Sequence, residues 1–295
     1  MTPAEARRGD RIFLVGTGRM GLALGTALLR SGAAGRVAYA SRSADRPTSP
    51  LLDEPGAIWT GDPAAPPDGT TVVLLAVPDD ALPAVSARLA TRAAPAGAVA
   101  LHLSGALTAA VLEPLHEAGY AVGTLHPLQT VADPETGVER LRGCAFAIGG
   151  EPAALGAARR LIADLADQIL VVPPTSRPRY HAAAVIASNY LVAILHFAAR
   201  QLAPVGLDER DAVRALLPLV RGTLENVEDL GIPAALTGPI ARGDADTVRL
   251  HLRRLSPEDR LLYCALGREA VRVAARAGLA EDRVERLAEL LSEAP

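Results

Sequence analysis

The chain contains no lysine; every one of its 30 basic residues is arginine. That excludes a lysine Schiff base, a lysine general acid and the phosphate-gripping lysine of a P-loop. Aromatic residues are scarce, at 3%, and the arginines are dispersed along the sequence. Stacking platforms and a basic stripe, the marks of a nucleic-acid binder, are therefore missing. The two cysteines, Cys144 and Cys264, lie far apart among apolar neighbours and read as inert core thiols rather than a disulfide. No Cys/His cluster has zinc-like spacing, so no metal is expected. No apolar run reaches the ~18 residues of a membrane span, and the polar start MTPAEARRGDR lacks the apolar core of a signal peptide. A cytoplasmic protein without membrane or nucleic-acid partners is the expectation. A proton donor working near neutral pH must come from the six histidines, or from a perturbed tyrosine, cysteine or carboxyl group.

At 295 residues and 49% apolar content, the chain is long enough for two domains with a sizeable core. Short apolar runs at 11–15, 36–41, 71–77, 98–103 and 121–125, with 57–60 weaker, read as strands. They alternate with helical patterns at 20–31, 81–92 and 107–118. This alternation predicts an α/β fold, a doubly wound parallel sheet. Further strands at 144–149 and 169–172 flank a helix at 153–166. The proline-rich VVPPTSRPR (171–179) then interrupts the chain. Beyond it apolar residues recur at helical spacing in 181–203, 209–229, 246–254, 258–278 and 281–292. The domains expected are therefore 1–175, with the sheet, and 176–295, an all-helical domain.

RIFLVGTGRMGLAL places Gly16, Gly18 and Gly21 after the first strand and at the opening of a helix. In that context G-x-G-x-x-G makes a tight turn, admits a pyrophosphate to the backbone and lets helix and strand pack closely. Thr17, Arg19 and Met20 share the turn, and the phosphates would rest on the helix N-terminus. An acidic residue about twenty positions on would select NAD. Ser41, Arg42 and Ser43 stand there instead, and the first acid is Asp45. An arginine with hydroxyls suits a 2′-phosphate, so NADP is favoured over NAD.

In such a sheet ligands lie beyond the carboxyl ends of the strands. Three of those ends carry polar punctuation: LLAVPDDAL with Ala76, Val77, Pro78 and Asp79; LHLSGAL with Ser104 and Gly105; and GTLHPLQTV with His126, Pro127 and Gln129. His126 and Ser104 read as groups facing substrate. Ser104 is equally a helix N-cap, and Asp79 a helix start. RYHAAAVIASNYLVAI (180–195) reads as a buried helix carrying His181, Ser188 and Asn189. On an unbroken helix Ser188 lies about 20° and Asn189 about 80° from His181 around the axis. These groups form either one catalytic wall or a core histidine with polar neighbours. In LTGPIARGDADTVRLHL (236–252), Arg242 is either a surface arginine or a fork for a substrate carboxylate.

VGTGRMG, LAVPDDAL, HLSGAL, LHPLQT, YHAAAVIASNYLVA and LTGPIARGD span nearly the whole chain. Together they resemble a bacterial family of uncharacterised oxidoreductases, in which a Rossmann-like domain precedes an all-helical domain of unknown function. More distantly the chain is similar to the 6-phosphogluconate dehydrogenase superfamily, including pyrroline-5-carboxylate reductase, ketopantoate reductase and prephenate dehydrogenase. The resemblance implies an NAD(P)-dependent enzyme, a homodimer through its helical domains, with its active site between domains. Ser104 and the His126–Pro127 pair match a serine and a His-Pro that prephenate dehydrogenases place beside nicotinamide. His181, Val185 and Asn189 fall at the positions where ketopantoate reductases carry lysine, asparagine and asparagine; only Asn189 is retained.

The reading that results is an NADP-dependent oxidoreductase acting on a small anionic carbonyl, imine or hydroxy-acid compound in an interdomain cleft. His126 or His181 moves the proton, Ser104 and Asn189 polarise the reacting atom, and Gln129, Ser188 and Arg242 hold substrate. The alternatives are a nucleotide-binding sensor or partner protein without chemistry, and an enzyme like ketopantoate reductase or prephenate dehydrogenase.

Overall fold

The computed structural model describes residues 9–292; the first eight residues of the polar N-terminal stretch lie outside them. The chain divides into two compact units, Met1–Asn189 and Tyr190–Pro295. The stretch that follows the prolines thus belongs with the sheet as far as Asn189.

The first unit is built on eight strands: β1 (Asp10–Val15), β2 (Ala34–Ala40), β3 (Ala57–Trp59), β4 (Val72–Leu75), β5 (Val99–His102), β6 (Ala121–Pro127), β7 (Cys144–Gly150) and β8 (Ala166–Val171). They lie in the order β3-β2-β1-β4-β5-β6-β7-β8. Successive residues of β1 feed opposite layers. Ile12 and Leu14 pack into one core cluster, Phe13 and Val15 into the other. Val72 and Leu74 alternate with Val73 and Leu75 in the same way. A sheet covered on both faces needs apolar residues at every position, which is why its strands read as continuous runs.

Around it stand α1 (Arg19–Arg30), α2 (Leu82–Leu89), α3 (Glu113–Glu117), α4 (Pro134–Arg140), α5 (Pro152–Leu161) and α6 (Arg177–Ala187). Two departures from the sequence reading have local causes. The helix expected over 107–118 is a 3-10 turn at Ala109–Leu112 followed by α3. Pro114 sits in the first turn of α3, where its missing N–H costs nothing. Helix α4 gave no periodic signal because Gly137 occupies its centre. That glycine brings α4 close to α1: a Cβ there would lie 3.0 Å from the Ala23 Cβ.

One correction concerns strand direction. The sheet is parallel except where β6 and β7 pair antiparallel. Burial patterns on a strand are the same whichever way it runs, so the sequence could not distinguish the two.

The second unit holds α7 (Asn189–Arg200, starting on the last residue of the first unit), α8 (Glu209–Leu230), α9 (Ile232–Ala235), α10 (Gly238–Arg242), α11 (Ala245–Arg254), α12 (Pro257–Arg276) and α13 (Glu281–Ser292). Its core is drawn from α11, α12 and α13, with Val248, Leu252, Cys264, Val271, Leu287 and Leu291 buried together. The caps are legible in sequence: Asp208, Asp244 and Ser256 each accept a hydrogen bond from a first-turn amide, as N-cap residues do.

The helix expected to be buried over 180–195 is instead exposed in the single chain, with Ile186 and Val192 largely open to solvent. It also breaks: Ser188 closes α6 with φ −114° and ψ −68°, so angles computed for an unbroken helix end there. Pro174–Val205 is long and apolar enough, by length and composition alone, to cross a membrane. Counting uninterrupted apolar residues missed it because His181, Ser188 and Asn189 interrupt the run.

Candidate functional site

At the end of β1 the three glycines have separable reasons. Gly16 has φ +114°, and a Cβ on it would lie 2.3 Å from the Ala76 carbonyl oxygen. Gly21 passes so near the Gly16 carbonyl that its Cβ would sit 2.1 Å from that oxygen. A Cβ on Gly18 would meet nothing within 4 Å. The first and third glycines therefore close strand onto helix, while the second opens a space at the start of α1. Gly18 caps α1 without a side-chain hydrogen bond, and no acidic residue follows in the first turn. The amides there are free to bind an anion, reinforced by the helix dipole. These residues fit a dinucleotide pyrophosphate.

The sheet order reverses between β1 and β4, and the crevice at such a reversal is where doubly wound folds bind dinucleotides. Thr17, Arg19 and Met20 follow Gly16 on one side of it, and Ala76, Val77 and Pro78 follow β4 on the other. Beyond β2, the Ser41 hydroxyl donates to the Ser43 carbonyl at 3.1 Å. Arg42 is exposed and makes no ion pair among the described residues.

Two strands further along, five polar side chains gather on the first unit. Thr124 and His126 alternate with core residues along β6 and share one face of the sheet. The first turns of α6 supply Arg177, Tyr180 and His181. The His126 ring stands 6.2 Å, centre to centre, from that of His181 and 5.6 Å from that of Tyr180, edge-on to both. Its Nδ1 is hydrogen-bonded to the Tyr180 hydroxyl at 2.7 Å. Both imidazoles close on Gly105, where a Cβ would lie 2.6 Å from His181 Nδ1 and 2.8 Å from His126 Nε2. Only glycine at 105 admits both rings. The structure thus brings His126 and His181 together, within one unit rather than one from each.

The electrostatics keep His126 neutral. Burial pulls its imidazole down to about 4, helped by the nearby Arg177, His181 and His102. Burial pushes the Tyr180 phenol up to about 12, against the pull of Arg177. At neutral pH the pair is an uncharged imidazole joined to an uncharged phenol, able to take up a proton and hold it only briefly.

The Ser104 hydroxyl is fully engaged. It donates to Asp79 Oδ2 at 2.9 Å and accepts from the amides of Ala106 and Leu107. It ties the turn that carries Gly105; no helix starts there, and the 3-10 turn at Ala109–Leu112 has Thr108 at its N-cap, so Ser104 is not the helix N-cap that the sequence suggested. Gln129 is similarly committed: its amide donates to the Arg140 carbonyl, and its Oε1 accepts from the Thr130 amide. Ser188 and Asn189 are exposed at the α6–α7 break, and Arg242 is exposed at the end of α10 in the second unit. Cys144 and Cys264 are free and buried, and burial pushes the Cys144 thiol up to about 11.

Three residues escaped the sequence reading. Tyr180 opens the stretch read as a buried helix and Arg177 lies in the proline-rich stretch before it, and neither was assigned a role. His102 looked like one more buried strand residue; it is fully buried, accepting from the Ser104 amide at Nδ1 and bonded to the Thr108 carbonyl through Nε2. It braces the Ser104 turn, and burial pulls its imidazole down to about 4.

That pair of depressed histidines has a measurable consequence. Above pH 6.5 His102 and His126 are neutral both folded and unfolded. Between 6.5 and about 4 the unfolded chain binds protons that the folded one refuses, so stability falls with pH. Below about 4 the slope vanishes. The expected loss is on the order of 3 kcal/mol for each histidine, read as a falling urea midpoint across that window. A midpoint flat from pH 6.5 to 4.5 would contradict it.

The fold of the first unit is Rossmann-like, and residues 5–127 match the family described as "Rossmann-like domain". Residues 144–293, half of the chain, match "Domain of unknown function (DUF2520)", and the protein belongs to that family. No curated protein matches it. Among solved structures it is similar to protein TM1727 from Thermotoga maritima, at 24% identity and TM-score 0.65, covering 95% of this chain and 98% of that one. It is also similar to pyrroline carboxylate reductase from Plasmodium falciparum with NADP bound, at 12% identity and TM-score 0.61, covering 95% and 98%. A third likeness is to a reductive aminase from Aspergillus terreus in complex with NADPH and ethyl-5-oxohexanoate, at 16% identity and TM-score 0.58, covering 97% and 93%. At these identities the likeness is one of fold.

Proposed function

We propose that the protein is an NADP-dependent oxidoreductase that exchanges hydride with a small anionic carbonyl, imine or hydroxy-acid substrate. The observation that carries this reading is the pair of imidazoles meeting at Gly105, in the same unit as a crevice whose glycine turn fits a pyrophosphate. NADP supplies the hydride or accepts it. The chain's own residues bind, orient and move the proton. Gly16, Gly18 and Gly21 with Thr17, Arg19 and Met20 seat the pyrophosphate. Ser41, Arg42 and Ser43 meet the 2′-phosphate, and Ala76, Val77 and Pro78 line the crevice beyond β4.

His126 is the proton-transfer group, with Tyr180 holding its Nδ1 and leaving Nε2 towards substrate. His181 faces the same point. Ser104 acts through the turn it ties, which makes it a positioning residue. Asn189 and Ser188 offer polar groups at the helix break, and Gln129 shapes the loop after β6. The fold and NADP content of the reductive aminase and pyrroline carboxylate reductase structures support the reaction class. The test is a panel of small keto, imino and hydroxy acids assayed for oxidation of NADPH or reduction of NADP. Turnover on any member is the expected result; tight cofactor binding with no turnover on the whole panel would favour a nucleotide-binding sensor.

Cofactor preference is read at Arg42. Arg42→Ala is expected to weaken NADPH binding about tenfold or more, the worth of one charge-assisted contact, and to leave NADH binding unchanged. Equal loss for both cofactors would remove Arg42 from the 2′-phosphate.

The protein is also proposed to form a homodimer through its helical unit. Of the 22 residues of α8 only Ala212 is buried, and Leu219 (69% exposed), Leu224 and Leu230 stand in solvent. An exposed apolar surface of this kind marks an interaction site. A helix bearing Arg221, Glu225, Glu228 and Asp229 between its leucines suits a second copy better than lipid. Light scattering is expected to give twice the chain mass; a monomer would contradict the dimer.

A further inference from the structure

Arg177 is the largest fully buried side chain, at 1% exposure. It opens α6, and its guanidinium has only neutral hydrogen-bond partners: Nη1–H donates to Thr124 Oγ1 at 2.8 Å and Nη2–H to the Ser104 carbonyl at 2.9 Å. Nε is buried with no hydrogen-bond partner, and no carboxylate pairs with Arg177 among the described residues. Burial lowers the basicity of the group, yet arginine stays charged in proteins. An unpaired buried charge is costly. Bonds to a hydroxyl and a carbonyl are within the means of a neutral amide side chain, so they do not by themselves explain a charged one.

What the guanidinium joins does explain it. The Ser104 carbonyl belongs to the peptide that leads into Gly105, the residue on which both imidazoles close. Thr124 precedes His126 by two residues on the same face of β6, about 7 Å away at the rise of a strand. Tyr180 and His181 follow Arg177 on α6 at i+3 and i+4, one helical turn along the same face. A single side chain therefore links the three elements that carry Gly105, His126 and the Tyr180–His181 pair. Its charge acts on both His126 and His102. Little opposes that charge. At neutral pH the His102 imidazole, the Tyr180 phenol and, on β7, the Cys144 thiol are uncharged. Asp79 accepts from the Ser104 hydroxyl, but it is exposed, where water weakens its field. Glu151 and His116 meet at the opposite end of β6, where Glu151 accepts from the Val122 amide.

We propose that Arg177 is a positioning residue for proton transfer at His126, clamping the Ser104–Gly105 turn to β6 and α6 and setting an uncompensated positive charge against the imidazole. The inference rests on the reading of His126 as the proton-transfer group, and it adds the device that keeps that group ready. A ring beside a fixed cation releases a proton more readily than a ring beside a neutral side chain. Burial is the larger cause of the low basicity of His126 and Arg177 the next, followed by His181 and His102. A neutral clamp would hold the same geometry and leave the ring freer to charge. The charge, rather than the two hydrogen bonds, is what arginine contributes at this position.

The test follows the imidazole signals of the full-length protein by NMR as the pH is lowered, without cofactor or substrate. Arg177→Gln removes the charge and keeps an N–H donor. In it the His126 midpoint is expected to rise from about 4 by about one pH unit, with His102 moving the same way and His251 still. Thr124→Val keeps the charge and deletes one of its bonds; the midpoint is expected to stay near its wild-type value while the melting temperature falls. Arg177→Met replaces a buried charge with an apolar side chain, an exchange that folds often tolerate, and supplies the same shift should Arg177→Gln fail to fold. A His126 midpoint unmoved by loss of the charge, or moved as far by Thr124→Val, would overturn the proposal. So would failure of both charge-free variants to fold, the mark of a purely structural residue. None of these titrations needs NADP or turnover. A substrate panel without turnover would sink the proposed reaction and leave the titrations standing, whereas an unmoved midpoint would sink the role of Arg177 and leave the reaction untouched.

Discussion

Gly18→Asp is expected to weaken NADPH binding by two to three orders of magnitude while leaving the protein slightly more stable. The two effects have opposite signs for one structural reason. Gly18 is the N-cap of α1 and has no side chain to bond the first-turn amides, and a Cβ there meets nothing within 4 Å. Aspartate fits without displacing anything, and as an N-cap it improves on glycine by a few tenths of a kcal/mol. Its carboxylate then occupies the space assigned to the pyrophosphate. Like charges about 4 Å apart near a protein surface repel by roughly 4 kcal/mol, enough for the expected loss. The checks are a fluorescence titration and a melting curve. Undiminished affinity in a variant that melts at or above the wild-type temperature would remove the phosphate from α1.

The second large effect concerns the imidazoles. Replacing both His126 and His181 with alanine is expected to lower kcat by about 10²–10⁴, the usual worth of general acid–base catalysis, with NADPH affinity unchanged. Cofactor affinity separates lost chemistry from lost fold. The pH profile adds a sharper sign. With His126 held at about 4, its neutral form persists well below 6.5, so oxidation of a hydroxy acid should stay near its plateau to about pH 5. Below that the ring is protonated and cannot act as base. A profile falling through pH 6.5 would point to an ordinary exposed histidine, and unchanged turnover in the double variant would dismiss both.

What the sequence revealed and what it hid follow from the range of the interactions. The glycine turn is legible because its requirements are local: a tight turn, a close helix and an open space within six residues. His126 is legible as polar punctuation at a strand end, and His181 as an imidazole in an apolar helix. Their meeting was expected from two different domains; α6 instead folds back with the sheet, and the proline-rich stretch before it marks no break between the units. Arg177 and Tyr180 gain their roles only when α6 packs on the face of β6 that carries Thr124 and His126, a contact more than fifty residues apart in the chain. The antiparallel β7 left no trace because burial has no direction. The apolar surface of α6 and α7 read as buried because composition records that a surface is to be covered without recording by what.

The most direct measurement follows the imidazole protons of the full-length protein by NMR as NADPH is added. The account predicts saturable shifts at His126 and His181, with the midpoint found by cofactor fluorescence, while His196 and His251 stay still. NADPH that binds and leaves both imidazoles unmoved would put the nicotinamide elsewhere and contradict the account.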